Sequence, residues 1–271
     1  MEPLFIRYKL STIHYSKAGR GEKILLCFHG YSQSSSVFSF LEKTIENDFT
    51  LIAIDFPFHG KTIWNEGLNF TANDLMEIID QIIKEQSLPK TKKHLLGFSM
   101  GGRVALSMMQ QFPDKIERLL LIAPDGMKTN FWYWLATQNK TGNIFFKKTM
   151  RHPAPMFGIL KAANKLGFVN PSIYKFVSHY IDDEKVRDDL YKRWTTMRNF
   201  KPKIKKIKSI IKVYNIPVRL LYGEFDKIIR FERAEKFMNG MEGYCRLKIV
   251  STGHYLLIDA NADSIFKMLK N

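Results

Sequence analysis

The segment Gly97-Phe98-Ser99-Met100-Gly101 has the residue types of a serine nucleophile site. It follows a predicted strand, His94–Gly97, and opens a predicted helix, Gly101–Gln111. A serine on such a sharp strand-to-helix turn has an exposed hydroxyl, and the flanking glycines let neighbouring backbone come close. We therefore predict that Ser99 attacks a carbonyl carbon.

A serine nucleophile needs a base, and the base needs an orienting acid. His254 and Asp226 each follow a predicted strand in the last part of the sequence. The carboxyl ends of parallel strands are where α/β sheets bind their ligands. We predict that His254 takes the Ser99 proton and that Asp226 orients the imidazole. Asp125, which follows an earlier strand, is the second candidate for the acid.

Backbone amides are predicted to stabilise the negative oxygen of a tetrahedral intermediate. His29-Gly30 closes the predicted strand Lys23–Phe28, so the amide of Tyr31 is one candidate donor, and the amide of Met100 is the other. Each such donor lowers a barrier by about 2.7–4 kcal/mol. We assign the His29 imidazole a structural role, and we interpret Asp55-Phe56-Pro57-Phe58-His59-Gly60 as a loop-organising motif that does not supply the base.

Alternating strand and helix patterns must position these residues. The apolar runs of the first half are too continuous for half-exposed strands and indicate buried parallel strands. Among the helical patterns between them are Val37–Glu46 and Asp74–Gln86, the latter with Asn73 as its predicted N-cap. This alternation predicts an α/β fold with a mostly parallel sheet flanked by helices. The predicted strands are Leu4–Leu10, Ile13–Tyr15, Lys23–Phe28, Leu51–Ile54, His94–Gly97, Leu119–Ala123, Val218–Tyr222 and Arg246–Val250.

The alternation stops after Pro124 and resumes at Val218. Between Met127 and Val213 the patterns are helical, with no clear strand. We therefore predict a core domain made of residues 1–126 and 214–271, interrupted by a helical insertion at residues 127–213.

The net charge of +16 on 271 residues is concentrated in this insertion, which has 19 lysine and arginine residues against five acidic residues. One interpretation is a solvated helical shell. The other is a surface for acidic partners, such as an anionic substrate or a weakly bound lipid surface. The lysines of Lys201–Lys208 alternate with isoleucines at helical spacing, which favours a solvated helix, so we expect no nucleic acid partner.

Cysteine use and hydropathy limit the compartment. The sequence has two cysteines, of which Cys27 lies in an apolar run and is predicted to be a buried thiol, as in a reducing, cytoplasmic setting. The cysteines and the seven histidines show no metal-type spacing. The sequence has no run of 18 apolar residues, so we expect no transmembrane segment. The oligomeric state has no signal in the sequence.

Five segments together resemble the α/β-hydrolase superfamily over essentially the whole chain. They are CFHG at Cys27–Gly30, DFPFHGKT at Asp55–Thr62, GFSMGG at Gly97–Gly102, YGEFD at Tyr222–Asp226 and TGH at Thr252–His254. The chain order of serine, aspartate and histidine is also that of the family's triad. The resemblance implies an eight-stranded sheet with an antiparallel second strand and a helical cap, inserted after the sixth strand, over the active site. It also implies that the enzyme uses no metal and no organic cofactor.

Arg103 and an aromatic cluster are candidate substrate-binding residues. The sequence Gly101-Gly102-Arg103 resembles a lyase of this fold, 2-succinyl-6-hydroxy-2,4-cyclohexadiene-1-carboxylate synthase, whose arginine holds a substrate carboxylate. The alternative is an arginine paired with a local acid. Phe131, Trp132 and Trp134 would line an entrance for acyl chains or dip into a lipid surface, or else form the packing seam of the cap against the core.

These observations predict a cofactor-independent serine hydrolase that acts on a small-molecule carboxylic ester through an acyl-enzyme. The first alternative is a lyase or C–C bond hydrolase acting on a carboxylated substrate, with Ser99 and His254 transferring protons. The second is a non-catalytic binding protein that retains the fold.

Overall fold

The computed structural model describes residues 1–128, 131–165 and 182–270. The strands of this described part are β1 (Glu2–Tyr8), β2 (Ser11–Ala18), β3 (Lys23–Phe28), β4 (Phe49–Ile54), β5 (Lys93–Phe98), β6 (Ile116–Ile122), β7 (Val218–Gly223) and β8 (Cys245–Val250). They form one eight-stranded sheet in the order β1-β2-β4-β3-β5-β6-β7-β8. β2 is antiparallel to both of its neighbours, and the pairs from β4 to β8 are parallel. The predicted fold class, including the antiparallel second strand, is confirmed.

Burial explains why the central strands were recognisable as continuous apolar runs. β4 and β5 are buried at every position, and β3 is exposed only at Lys23. Helices cover the sheet, so both strand faces need apolar side chains. The helices of the described part are α1 (Glu42–Ile45), α2 (Ala72–Glu85), α3 (Met100–Gln111), α4 (Phe131–Thr137), α5 (Lys140–Arg151), α6 (Ala154–Lys165), α7 (Glu184–Thr196), α8 (Ile204–Tyr214), α9 (Glu232–Met238) and α10 (Ala262–Lys270). Of these, α3 packs on β3, β5 and β6, and α10 packs on β6 and β7.

Two local predictions about helices are wrong. The N-cap of α2 is Thr71 rather than Asn73, because Thr71 and Asp74 form a capping box in which each side chain bonds the other's backbone amide. The predicted helix Val37–Glu46 is a 3₁₀ helix, Ser35–Leu41, followed by the short α1. Its buried residues Ser35, Phe38 and Leu41 are three apart, which matches the three residues per turn of a 3₁₀ helix.

The chain divides into two compact units. The first unit consists of Met1–Glu66, Phe70–Lys128 and Asn199–Asn271, and it contains the whole sheet. The second consists of Gly67–Asn69 and Thr129–Arg198. The second unit thus ends earlier than the predicted insertion, residues 127–213. The reason is α8, whose isoleucines Ile207, Ile210 and Ile211 are buried and which packs against α3 of the first unit.

The second unit is helical in its described part. α5 packs against α4 and α7, and α4 also packs against α7. The Arg187 guanidinium, although buried, is satisfied within this unit because its Nε donates to the Met150 carbonyl at 2.8 Å. Polar contacts of this kind fix the helix positions because an unpaired buried charge is costly.

Candidate active site

Ser99 occupies a strained turn between β5 and α3. Its backbone has φ 49° and ψ −115°, a conformation that costs a non-glycine residue about 1–3 kcal/mol. The Ser99 amide donates to the Ile122 carbonyl at 3.0 Å, and the Ser99 carbonyl accepts from the amides of Gly102 and Asp125 at 2.9 and 2.8 Å. These hydrogen bonds hold the turn from both sides, so the strain is maintained by the surrounding fold.

Two glycines allow this turn to pack closely. A Cβ on Gly101 would overlap the carbonyl of Phe28 in β3, and one on Gly97 would lie 2.5 Å from the Gly101 carbonyl oxygen. No side chain fits at either position without moving backbone. The first turn of α3 therefore lies directly against the end of the neighbouring strand.

The structure brings Ser99, His254 and Asp226 together. His254 Nδ1 lies 2.7 Å from Asp226 Oδ2, and His254 Nε2 lies 3.3 Å from Ser99 Oγ. The buried Asp226 carboxylate accepts two further hydrogen bonds on Oδ1, from the amides of Ile228 and Ile229 at 2.7 and 2.9 Å. An ionised carboxylate only accepts, so Nδ1 of His254 carries the proton and Nε2 is the acceptor for the Ser99 hydroxyl.

Backbone hydrogen bonds join the loops that carry Asp226 and His254. The amide of Glu224 donates to the Val250 carbonyl at 2.8 Å, and the amide of Phe225 donates to the Thr252 carbonyl at 3.0 Å. Gly223 is required at this contact, because a Cβ there would overlap the Thr252 and Gly253 carbonyls. The relative position of the imidazole and the carboxylate is thus set by the backbone as well as by their own hydrogen bond.

The loop that carries Tyr31 is fixed at its first residue. The Gly30 amide donates to Gln33 Oε1 at 3.0 Å, and the Gly30 carbonyl accepts from His29 Nδ1–H at 2.8 Å. The fully buried His29 also accepts from the Phe56 amide through Nε2 at 3.2 Å. The imidazole of His29 therefore serves the loop structure. The roles of the Tyr31 and Met100 amides as oxyanion donors remain a prediction.

Asp55, which follows β4, connects the segment after β3 to strand β2 and to its own loop. Its carboxylate accepts from the amides of Ser35 at 2.5 Å and Lys61 at 2.8 Å, and Oδ2 lies 2.7 Å from Nδ1 of the buried His14. The motif at Asp55 indicated a loop-organising role, but no local pattern links it to His14, which lies on β2. Only the antiparallel pairing of β2 with β4 brings the two residues together.

Arg103 and Asp125 form an ion pair next to the serine turn. Arg103 Nη1 lies 3.6 Å from Asp125 Oδ2, with the arginine side chain 8% exposed and the aspartate side chain 35% exposed. The imidazole of His254 contacts Asp226 and not Asp125. The local acid that the sequence left open as the partner of Arg103 is therefore Asp125, and a substrate carboxylate on Arg103 remains a prediction.

The aromatic candidates lie on α4 in the second unit. Phe131 is 62% exposed, Trp132 is 70% exposed and Trp134 is 43% exposed. Their role in binding substrate or lipid remains a prediction.

Neither cysteine competes with Ser99 as a nucleophile. Both Cys27 and Cys245 are free thiols, and both are buried, as predicted for Cys27. Burial raises the pKa of Cys27 well above its ordinary value and raises the pKa of Cys245 to about 11. A thiol reacts as its thiolate, so these two residues are inert near neutral pH.

The described part of the chain offers neither a metal site nor a membrane span. No group of three or more histidine, cysteine, aspartate or glutamate side chains there is arranged to hold a metal ion. No helix there is long and apolar enough to cross a bilayer.

The fold and the strained serine turn define an α/β-hydrolase. In agreement, residues 23–260 match the family described as having the alpha/beta hydrolase fold. The chain belongs to this family.

Individual relatives are distant. The chain is 23% identical over 259 residues to a monoacylglycerol lipase, abhd6-A, of Xenopus laevis, with 93% of this chain and 75% of that protein covered. It is 33% identical over 126 residues to a candidate 2-succinyl-6-hydroxy-2,4-cyclohexadiene-1-carboxylate synthase of Bacillus subtilis, with 43% of each covered. Among solved structures, the enol-lactonase of Burkholderia xenovorans LB400 matches with a TM-score of 0.66 at 14% identity, covering 99% of this chain and 100% of that one. Esterase and lipase names among the relatives support a hydrolase.

Proposed function

We propose that the protein is a serine hydrolase of carboxylic esters in which Ser99, His254 and Asp226 form the catalytic triad. The observation that carries this proposal is the chain of two contacts, 3.3 Å from Ser99 Oγ to His254 Nε2 and 2.7 Å from His254 Nδ1 to Asp226 Oδ2. The proposed steps use only these side chains and backbone amides, so they require no cofactor.

In the first half-reaction, Ser99 Oγ attacks the ester carbonyl carbon while its proton passes to His254 Nε2. The amides of Tyr31 and Met100 stabilise the oxyanion of the tetrahedral intermediate. The ester C–O bond then breaks, and Nε2 gives its proton to the departing alkoxide, which leaves as the alcohol. Asp226 holds the imidazole in the required tautomer and stabilises the transient imidazolium.

In the second half-reaction, water replaces the alcohol. His254 Nε2 takes a proton from water, and the resulting oxygen nucleophile attacks the acyl carbon. Collapse of this second intermediate breaks the bond to Ser99 Oγ, which recovers the proton from Nε2. The products are a carboxylic acid and the free enzyme.

A panel of p-nitrophenyl esters with graded acyl length tests the proposal. We expect turnover by the wild-type protein and a loss of at least about 10³-fold in kcat for Ser99→Ala, because the proposed acyl-enzyme forms on the Ser99 hydroxyl. A fluorophosphonate should label the wild-type protein at Ser99 and leave Ser99→Ala unlabelled. Ester turnover that survives Ser99→Ala would contradict the assignment of the nucleophile.

The second candidate is a lyase or C–C bond hydrolase, which the 33% identity to the candidate synthase favours over part of the chain. A carboxylated substrate would then engage Arg103, and Asp125 would have to give up part of its contact with the guanidinium. No turnover of any ester in the panel, together with normal fluorophosphonate labelling, would favour this candidate. Loss of activity toward carboxylated substrates alone in Arg103→Ala would support it further.

A further inference from the structure

An open groove of about 400 Å³ lies in the first unit beside the proposed triad. Its lining includes Val37 and Phe40 from the segment after β3, and Tyr255, Leu257 and Ile258 from the segment after His254. Phe98, the residue before Ser99, also lines the groove. We propose that this groove binds the alcohol portion of the ester, and that it selects uncharged, aliphatic alcohols. The inference rests on the proposed function.

The position of the groove relative to the imidazole assigns it to the alcohol. The ring of Phe98 contacts the ring of His254, with 5.2 Å between their centroids, and Tyr255 directly follows His254 in the chain. A general acid must lie within hydrogen-bond reach of the oxygen that it protonates, so the alcohol oxygen is next to Nε2. The carbon chain attached to that oxygen begins at the imidazole and meets the groove at Phe98.

The chemistry of the walls sets the class of alcohol. Half of the ten lining side chains are apolar and Tyr255 adds an aromatic ring, while Gln33, Ser36 and Ser39 are polar and Asp259 is the charged side chain in the lining. The volume lies within the range of about 300–1,000 Å³ that is typical of small-molecule sites. The carboxylate of Asp259 disfavours an anionic alcohol, although the chain as a whole is strongly basic. Burial of each methylene group should increase kcat/KM about fourfold until the groove is filled.

The test uses two matched ester series, one with a fixed acyl group and alcohols from methyl to octyl, the other with a fixed alcohol and graded acyl chains. Val37→Trp narrows the groove at the segment after β3, and Leu257→Trp narrows it at the segment after His254. Val213→Trp is the matched control, because Val213 is 75% exposed on α8 and is not a lining residue. Thermal unfolding and fluorophosphonate labelling verify that each variant is folded with a reactive serine.

For the wild-type protein and Val213→Trp we expect kcat/KM to rise along the alcohol series. Each narrowing variant should flatten that rise: the ratio of kcat/KM for the octyl ester to kcat/KM for the methyl ester should fall at least tenfold. The dependence of kcat/KM on acyl length should stay as in the wild-type protein. The hydrolysis rate of a common acyl-enzyme should also stay the same, since the alcohol has left by then.

Three outcomes would overturn the inference. Flattening of the acyl series instead would make the groove an acyl site. If kcat/KM stays unchanged in both series for both narrowing variants, the groove does not bind the substrate. A wild-type protein that hydrolyses neither series would overturn the proposed function and this inference with it, whereas the first two outcomes leave the proposed function intact.

Discussion

At the scale of single residues, the backbone of Ser99 is held in a conformation that its side chain opposes. Glycine adopts positive φ without the steric cost that a Cβ imposes. A hydroxyl is nevertheless present at this position, with φ 49°, because the hydrogen bonds from Gly102 and Asp125 to its carbonyl stabilise the turn. The fold thus stores strain at the residue that we propose as the nucleophile.

This strain predicts a reversed order of stability for two variants. Glycine normally makes a folded protein less stable than alanine does, by about 0.4–1 kcal/mol. At position 99 we expect Ser99→Gly to have a free energy of unfolding about 1 kcal/mol higher than Ser99→Ala, because only glycine relieves the positive φ. Urea unfolding of the two inactive variants measures the difference. A more stable Ser99→Ala would show that the turn is not strained.

His94 gives the fold a dependence on pH. It is buried in β5 against the ring of Phe49, and burial, followed by the charges of Arg118 and Lys23, lowers its pKa from 6.5 to about 4. Between those two pH values the unfolded chain binds a proton that the folded chain does not. The stability that His94 contributes is therefore present above pH 6.5 and is lost as the pH falls toward 4, by roughly 3 kcal/mol.

His94→Leu should remove this component. Urea unfolding of the wild-type and variant proteins at several pH values from 7 to 4 gives the free energy of unfolding as a function of pH for each. The difference between the two slopes isolates the contribution of His94 from that of the other histidines. We expect the shallower decline in the variant. Equal slopes in both proteins would contradict the low pKa of His94.

The proximity of Ser99, Asp226 and His254 was predictable, but several other contacts around them were not. Ser99, Asp226 and His254 stand in short motifs at strand ends, and strand ends converge in a parallel sheet. The contact between Asp55 and His14 depends on strand pairing across the sheet, which local sequence does not encode. The choice of Asp125 as partner of Arg103 depends on side-chain geometry at the start of α3.

At the scale of elements, the long periodic or fully apolar segments were predicted well, and the short ones were not. The predicted strand Lys23–Phe28 matches β3 in its bounds, and the predicted helix Gly101–Gln111 matches α3 to within one residue. The 3₁₀ helix Ser35–Leu41 was missed, because its three-residue repeat over so few residues resembles an α-helical stripe. Helix boundaries depend on single capping contacts, as the cap of α2 shows.

The capping box of α2 gives a matched test. Thr71→Ala removes the hydroxyl that accepts from the Asp74 amide at 3.2 Å and should lower the free energy of unfolding by about 1 kcal/mol. Thr71→Ser keeps the hydroxyl, so its decrease in the free energy of unfolding should be no more than about half of that for Thr71→Ala. Chemical denaturation of both variants and of the wild-type protein measures the change. Equal losses for alanine and serine would assign the effect to the missing methyl group instead.

At the scale of the whole molecule, charge and fold are distributed differently. The sheet and the proposed triad belong to the first unit, while most of the net charge of +16 falls in the sequence predicted as the insertion. A charge excess of this size attracts anions over roughly one Debye length, about 10 Å at 0.1 M salt. It therefore acts on how often an anionic substrate reaches the protein rather than on the chemistry of the triad.

This attraction predicts a difference between two otherwise similar esters. The kcat/KM for an anionic ester, p-nitrophenyl hemisuccinate, should fall about threefold or more as sodium chloride is raised from about 10 mM to about 500 mM. The kcat/KM for neutral p-nitrophenyl butyrate should change less than about twofold, because screening removes little from an uncharged substrate. Parallel behaviour of the two esters would support a helical shell whose lysines are merely solvated.

The two outermost strands of the sheet, β1 and β8, have a consequence for how copies of the protein meet. The outer rim of a sheet is a template on which a strand from another molecule can add, and repeated addition leads to aggregation. Pro3 in β1 has no amide hydrogen to offer such a strand, and Arg246 and Lys248 in β8 would face the same positive charges on an incoming copy. The rims of the sheet therefore discourage growth into fibrils, even where the protein is crowded.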